Sequence, residues 1–170
     1  MKTDFLPEAF LKEMKGLLKD SYPDYLACFK EQPFAGLRAN TLKISGEALR
    51  TLLPWKLSPV PWTPNGYYIE DPGSRPSLHP AYSAGLYYLQ EPSAMAPAAV
   101  LPIEPGQRVL DLCAAPGGKS TQLAARLKGE GVLVSNDISP SRARGLLKNL
   151  EMTGACLLYT SPSPRDPKTS

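Results

Sequence analysis

The sequence has little cysteine and less histidine, three residues and one in a chain of 170. Cys28, Cys113 and Cys156 are far apart and odd in number, which argues against a disulfide framework and for a reducing compartment, the cytoplasm. The lone His79, next to Pro80, is read as structural, and no metal site is expected. No apolar run approaches the length of a bilayer span, so no membrane association is expected. The opening MKTDFLPEAFLKEMK carries charges throughout, unlike a signal peptide. Excess charge is also scarce: a net +3 permits a nucleic-acid partner without demanding one. Proline, by contrast, is abundant, with 19 residues concentrated between Pro54 and Pro105 and in the final segment.

Apolar spacing supplies the elements. Phe10, Met14, Leu17 and Leu18 fall on one stripe, which predicts an amphipathic helix over 5–20 with Pro7 near its first turn. GLRANTLKI (36–44) has strand character, and Ser45 is placed to cap a helix through GEALRTLL. Asn65-Gly66 before YYI signals a tight hairpin turn. Residues 1–75 therefore read as a small α+β region. Residues 76–105 read as a connector containing LYYLQ and the small-residue helix candidate PSAMAPAAVL.

After Pro105-Gly106 the pattern changes. RVLDLC, TQLAARLKG, GVLVSND and SPSRARGLLKNLEM alternate strand and helix, with Ser139 as N-cap and Pro140 at N1 of the last helix. That order predicts an α/β domain over 106–155, the first half of a Rossmann-like parallel sheet. Its apolar, β-branched strands predict helices on both faces.

The first βα turn of such a sheet, DLCAAPGGKST, is where nucleotide-like ligands bind. Ala114, Ala115, Gly117 and Gly118 bring little side chain, so a ligand can approach backbone N–H groups at a helix start. Asp137 ends the second strand 19 residues after Gly118 (137 − 118), a spacing that suits an acceptor for ribose hydroxyls. Turn and acid together imply an adenosine-like ligand. A plain tight turn without ligand is the bland alternative, and a P-loop is the rival. The P-loop pattern needs glycine where Cys113 stands, and Pro116 removes a donor from any phosphate cradle.

These residues carry a resemblance. DLCAAPGGKSTQLAARL resembles the cofactor motif of the Sun-type (RsmB/RsmF-like) RNA (cytosine-5) methyltransferases. LRANTLK (37–43), HPAYSAGLYYLQEPSAM (79–95) and NDISPSRARGLLKNLEMTG resemble further stretches of that family, in its order. The resemblance implies S-adenosylmethionine as cofactor and RNA, chiefly ribosomal RNA, as partner, in a monomeric parent enzyme. It implies that Cys113, Ala114, Ala115, Pro116, Gly117, Gly118 and Lys119 wrap the methionine part of the cofactor, that Asp137 holds the ribose, and that Arg142 neighbours the cofactor. It implies RNA contact by Arg38, Asn40 and Lys43. Strand periodicity places only Arg38 and Asn40 on one face; Lys43 rests on the resemblance. Asp111, at the end of the first strand, is expected to orient the loop. Tyr87 and Tyr88 are candidates for stacking on bases or for core.

Methylating C5 of cytosine requires a thiolate that adds at C6. The family draws it from Pro-Cys and Thr-Cys segments. Here each cysteine follows Ala or Leu, Cys28 is read as packing, and Cys113 lies in the cofactor loop. No catalytic residue is therefore assigned, and this chain alone is expected to be inactive. The alternative is a non-catalytic RNA-binding module. Where a third strand is due, CLLYTSPSPRD (156–166) resembles the conceptual translation of a transposase-type sequencing adapter; a natural Pro/Ser-rich tail is the other possibility. Residues 156–170 are set aside on that ground.

Overall fold

The computed structural model describes residues 6–155, so the tail set aside above lies outside the described residues. The described residues form two compact units, one ending at Phe34 and one beginning at Ala35. The first contains helix α1 (Glu8–Leu18), a 3-10 turn (Lys19–Ser21) and helix α2 (Tyr22–Cys28). The amphipathic spacing thus forms its helix, but the apolar stripe is not buried: no residue of α1 or α2 is. Cys28 is exposed rather than packed, its thiol donating to the Asp24 carbonyl within the helix.

The second unit begins with a four-stranded antiparallel sheet, ordered β2-β3-β1-β4. Its strands are β1 (Gly36–Ala39), β2 (Leu57–Pro59), β3 (Gly66–Ile69) and β4 (Tyr87–Leu89), and helix α3 (Gly46–Leu52) follows β1. Ser45 caps α3, its side chain accepting from Ala48 N–H. Leu37, Leu49, Leu57, Tyr67, Ile69 and Tyr87 form the core of this sheet. Here the structure redraws the expected boundaries. The region 1–75 is not one unit, and the connector 76–105 supplies β4, the edge strand that pairs with β1 (Leu37↔Leu89, Ala39↔Tyr87). Sequence periodicity sees a three-residue strand as a short apolar run; only pairing with β1 identifies it.

Two further details differ. The 36–44 strand ends at Ala39, because Asn40 opens a turn: its carbonyl accepts from Lys43 and Ile44 N–H, and its Oδ1 from Leu42 N–H. Nor is Asn65-Gly66 a two-residue hairpin turn. The β2–β3 loop spans 60–65, and Gly66 is already in the strand. Glycine is needed there for space: a Cβ would sit 2.4 Å from Thr63 Cγ2 and 2.6 Å from Met95 Sδ.

Helix α4 (Pro80–Ser83) precedes β4 and helix α5 (Ala96–Val100) follows it. His79 acts structurally: Nδ1 accepts from Ala81 N–H at the start of α4, and the ring meets Trp55 edge-on. The parallel portion then follows as expected, with β5 (Arg108–Asp111), α6 (Gly118–Leu127), β6 (Val132–Ser135) and α7 (Pro140–Thr153). β5 and β6 pair in parallel, Leu110 opposite Val134. Ser139 and Pro140 start α7 as their residue types dictate, and Gly154 ends it in the left-handed conformation. Arg126 of α6 ties the preceding segment down by donating to the carbonyls of Ala98, Ala99 and Ile103.

The expectation of helices on both faces fails for β5 and β6. The α6 face is half-buried, but Leu110 and Val134 on the other are 60% and 53% exposed. No described residue covers that apolar face.

Candidate cofactor loop and its supports

The loop after β5 and the acid after β6 meet. The strands are parallel, so both lie at the carboxyl ends, where a doubly wound sheet opens a crevice. Asn136 N–H donates to Asp111 O, and Ala114 N–H donates to Asn136 O. The Asp137 carboxylate then accepts from Ala115 N–H through Oδ2 (3.2 Å) and from Ser139 N–H through Oδ1 (3.0 Å). The side chain is almost fully enclosed, with Arg142 Nη2 3.5 Å from Oδ2. The acid that the spacing singled out thus touches the loop, at Ala115.

Asp111 orients the loop as expected: Oδ1 accepts from Cys113 N–H, and Oδ2 from the Ser120 hydroxyl at 2.7 Å. Ser135 of β6 donates in turn to Ser120. Three successive loop amides, of Cys113, Ala114 and Ala115, are therefore spent inside the protein. A P-loop needs such amides free for phosphate, so the geometry leaves that rival without its cradle.

Arg142 reaches the loop directly, Nη2 donating to Ala115 O at 2.8 Å. Pro116 follows Ala115 through a cis peptide bond. Asn149, two turns further along α7, donates to Pro116 O at 2.7 Å and to the Tyr88 hydroxyl at 3.3 Å. Gly117 has φ +115°, and a Cβ on it would stand 3.3 Å from Leu146 Cδ1 and 3.4 Å from Asn149 Cβ. One on Gly118 would stand 3.2 Å from Gln90 Nε2. These glycines were expected to admit a ligand. In the structure their missing side chains admit α7 and Gln90, while Cys113, Pro116 and Lys119 face outward.

The residues fit an adenosine-containing cofactor. Each Asp137 oxygen keeps acceptor capacity beyond the amides it binds. The first N–H groups of α6 have no partner within the helix, which suits an anionic ligand group there. Ile138, 95% exposed beside the acid, is an open apolar side chain that sequence reasoning passed over. Its only signal is a large apolar residue directly after the strand-end acid. Asn149 and Gln90 were also missed, for they are polar residues in ordinary helical or loop context. Among the described residues no group of three or more His, Cys, Asp or Glu side chains is gathered for a metal ion.

Of the three residues expected to face RNA, two are buried and one, Lys43, is exposed. Arg38 and Asn40 are each only 3% exposed. The Arg38 guanidinium donates to Gln90 Oε1 (3.1 Å), Gly118 O (3.1 Å) and Thr121 Oγ1 (2.8 Å). Burial, with no carboxylate partner on it, pulls its pKa down to about 10; the Tyr88 phenol opposes this weakly. Asn40 Nδ2 donates to Gly85 O and Thr153 O, both at 2.7 Å. Lys43 Nζ donates to Ala84 O and Met152 O, both at 2.8 Å, from an exposed position. For Arg38 and Asn40 the expected exposure gives way to burial, because periodicity gives a face, not what covers it. The face of β1 carrying Arg38 is covered by α6, and the turn at Asn40 swings Lys43 toward the end of α7. Tyr87 and Tyr88 are likewise buried, at 0% and 9% exposure, which places both in the interior rather than under bases.

Comparison with known proteins agrees with this architecture. Residues 6–92 match the family described as the N-terminal domain of 16S rRNA methyltransferase RsmF. The chain belongs to that family. Residues 98–160 match the 16S rRNA methyltransferase RsmB/F family, a match that runs into the first residues of the segment set aside. Ribosomal RNA small subunit methyltransferase F of Escherichia coli (strain SMS-3-5 / SECEC) is 39% identical over 162 residues, covering 89% of this chain and 34% of its own length. Its counterpart from Vibrio campbellii is 41% identical over 159 residues, covering 88% and 33%. The chain thus spans about a third of the length of these relatives. A methyltransferase homolog protein from Pyrococcus horikoshii superposes with a TM-score of 0.77 at 28% identity, over 89% of this chain and 55% of its own. NSun6 from the same organism, solved with SFG, gives 0.78 at 19% identity over 88% and 63%, a likeness of fold.

Proposed function

We propose that this chain is the N-terminal part of an S-adenosylmethionine-dependent enzyme that methylates C5 of a cytosine in ribosomal RNA. One observation carries the reading: in a member of this family, the glycine turn and the Asp137 carboxylate converge at the ends of two parallel strands. A fold neighbour solved with SFG, an analogue of S-adenosylmethionine, is in keeping with that cofactor. Asp137 holds the ribose, and the loop from Cys113 to Lys119 encloses the methionine portion. Arg142 supports both from behind, through Ala115 O and the Asp137 carboxylate.

The ring carbon C5 is too weakly nucleophilic to attack a methyl sulfonium unaided. A cysteine thiolate adds at C6, making C5 carbanion-like, and leaves by elimination after methyl transfer and loss of the C5 proton. Cys113 is exposed but sits in the cofactor loop, and Cys28 lies in α2, so neither is assigned that part. The attacking cysteine is supplied from outside residues 1–155. The test is transfer of labelled methyl from S-adenosylmethionine to small-subunit ribosomal RNA by the full-length protein carrying this chain, with the product nucleoside identified. 5-Methylcytosine is the expected product; methylation of another base or atom overturns the reading.

A further inference from the structure

Arg38, Asn40 and Lys43 lie within six residues of one another, yet their side chains reach three different elements. Arg38 grips the start of α6, through Gly118 O and Thr121 Oγ1. Asn40 and Lys43 grip the end of α7, through Thr153 O and Met152 O, and tie it to the carbonyls of Gly85 and Ala84. Those four carbonyls stand at or just beyond the C-terminal ends of α7 and α4. Carbonyls there lack intrahelical partners, and the helix dipole favours a cation such as the Lys43 ammonium.

The two elements so gripped are the two that hold the cofactor loop. α6 continues directly from it. α7 braces it from its own first three turns, with Arg142 on Ala115 O, Leu146 beside Gly117 and Asn149 on Pro116 O. The approach at the far end of α7 is tight: a Cβ on Gly85 would lie 1.9 Å from Met152 O. A buried guanidinium without a carboxylate partner is costly to keep, which is hard to explain as incidental surface charge.

We infer that Arg38, Asn40 and Lys43 are positioning residues for the cofactor loop. They fix its two supporting helices to the N-terminal sheet and leave direct RNA contact to other groups. Cofactor affinity then depends on β1 and the turn after it, through residues that do not touch the cofactor. The inference rests on the proposed use of S-adenosylmethionine, and the experiment separates the two.

Lys43→Met and Arg38→Lys are made in the full-length protein that carries this chain. Lys43 is exposed, so its loss leaves the core intact; Arg38→Lys keeps the charge and loses the fork. Three measurements are taken: S-adenosylmethionine affinity by calorimetry, the salt slope of RNA binding without cofactor, and amide exchange of residues 113–121 without cofactor. The expected result is faster exchange in 113–121, a three- to tenfold loss of cofactor affinity (~) and an unchanged salt slope. A slope that falls by about one for Lys43→Met, with affinity and exchange unmoved, makes Lys43 a phosphate contact and overturns the inference. Unmoved exchange overturns it whatever the slope does, as does faster exchange with unmoved affinity. Wild-type protein that binds no S-adenosylmethionine overturns the proposed cofactor instead, and the exchange measurement still decides whether the brace exists.

Discussion

The backbone N–H of Ala115 donates to Asp137 Oδ2 at 3.2 Å, so the acid assigned to the ribose is also an anchor of the loop assigned to the methionine portion. One side chain thus joins the two halves of the crevice, and substitution there has two separable effects.

Asp137→Ala in the full-length protein is expected to weaken S-adenosylmethionine binding by about 1–3 kcal/mol, through loss of a charge-assisted acceptor. Asp137→Asn keeps an acceptor oxygen for Ala115 N–H and is expected to lose less. Calorimetric titration of both variants checks this. Equal affinity in wild type and Asp137→Ala would remove Asp137 from the site.

Gly117→Val is expected to reduce cofactor affinity by at least as much. The cause is displacement of the loop: φ is +115°, and the added carbons meet Leu146 and Asn149 of α7. Leu146→Ala opens that space and is expected to restore part of the affinity in the double variant. Titration of the single and double variants measures the coupling.

Gly85→Ala is expected to destabilise the fold by about 2–4 kcal/mol, combining overpacking with a strained backbone. The positive φ of +67° and the approach to Met152 O act together. Thermal or urea unfolding of the full-length protein checks it. Wild-type stability in this variant would show that α7 does not seat against Gly85.

Alkaline pH is expected to unfold the sheet through its buried phenols. Burial pushes the Tyr87 hydroxyl up from the ordinary 10 to about 12, with Tyr82 adding to the rise, and Tyr88 moves the same way. A folded-state pKa above the unfolded one means that Tyr87's contribution is complete below pH 10. It is lost as pH rises through 12, because the unfolded chain releases its proton first. Tyr87→Phe is expected to flatten that limb, at a cost near pH 7 of about 1 kcal/mol for the lost hydrogen bond to Pro76 O. Urea unfolding at a series of pH values, followed by circular dichroism, tests the sign.

The chain 1–170 by itself is expected to transfer no methyl group and to bind an apolar dye over its β5–β6 face. Leu110, Leu112, Val132 and Val134 are each at least half exposed there, and neither Cys28 nor Cys113 is placed to attack a base. Methyl transfer into cytosine that survives Cys28→Ser and Cys113→Ser would refute the part about the nucleophile. Absence of dye binding would refute the part about the face.

Sequence by itself determined the parallel β5–α6–β6–α7 portion, because its signals are local. Apolar periodicity, the Ser139-Pro140 start and the small-residue turn all act within a few residues of where they are read. It also determined the pairing of turn and acid, because two parallel strands of similar length bring their ends together at a fixed chain separation. Tertiary structure decided what lies behind the turn. Whether Gly117 admits a ligand or Leu146 depends on where α7 lands, and no spacing within the loop encodes that. It likewise decided the direction of Arg38, Asn40 and Lys43. Charge and strand period say that such residues prefer water or a partner, and only the packing of α6, α7, the end of α4 and the segment after β4 around them supplies the partners: carbonyl, hydroxyl and amide oxygens from residues 41 to 113 positions away.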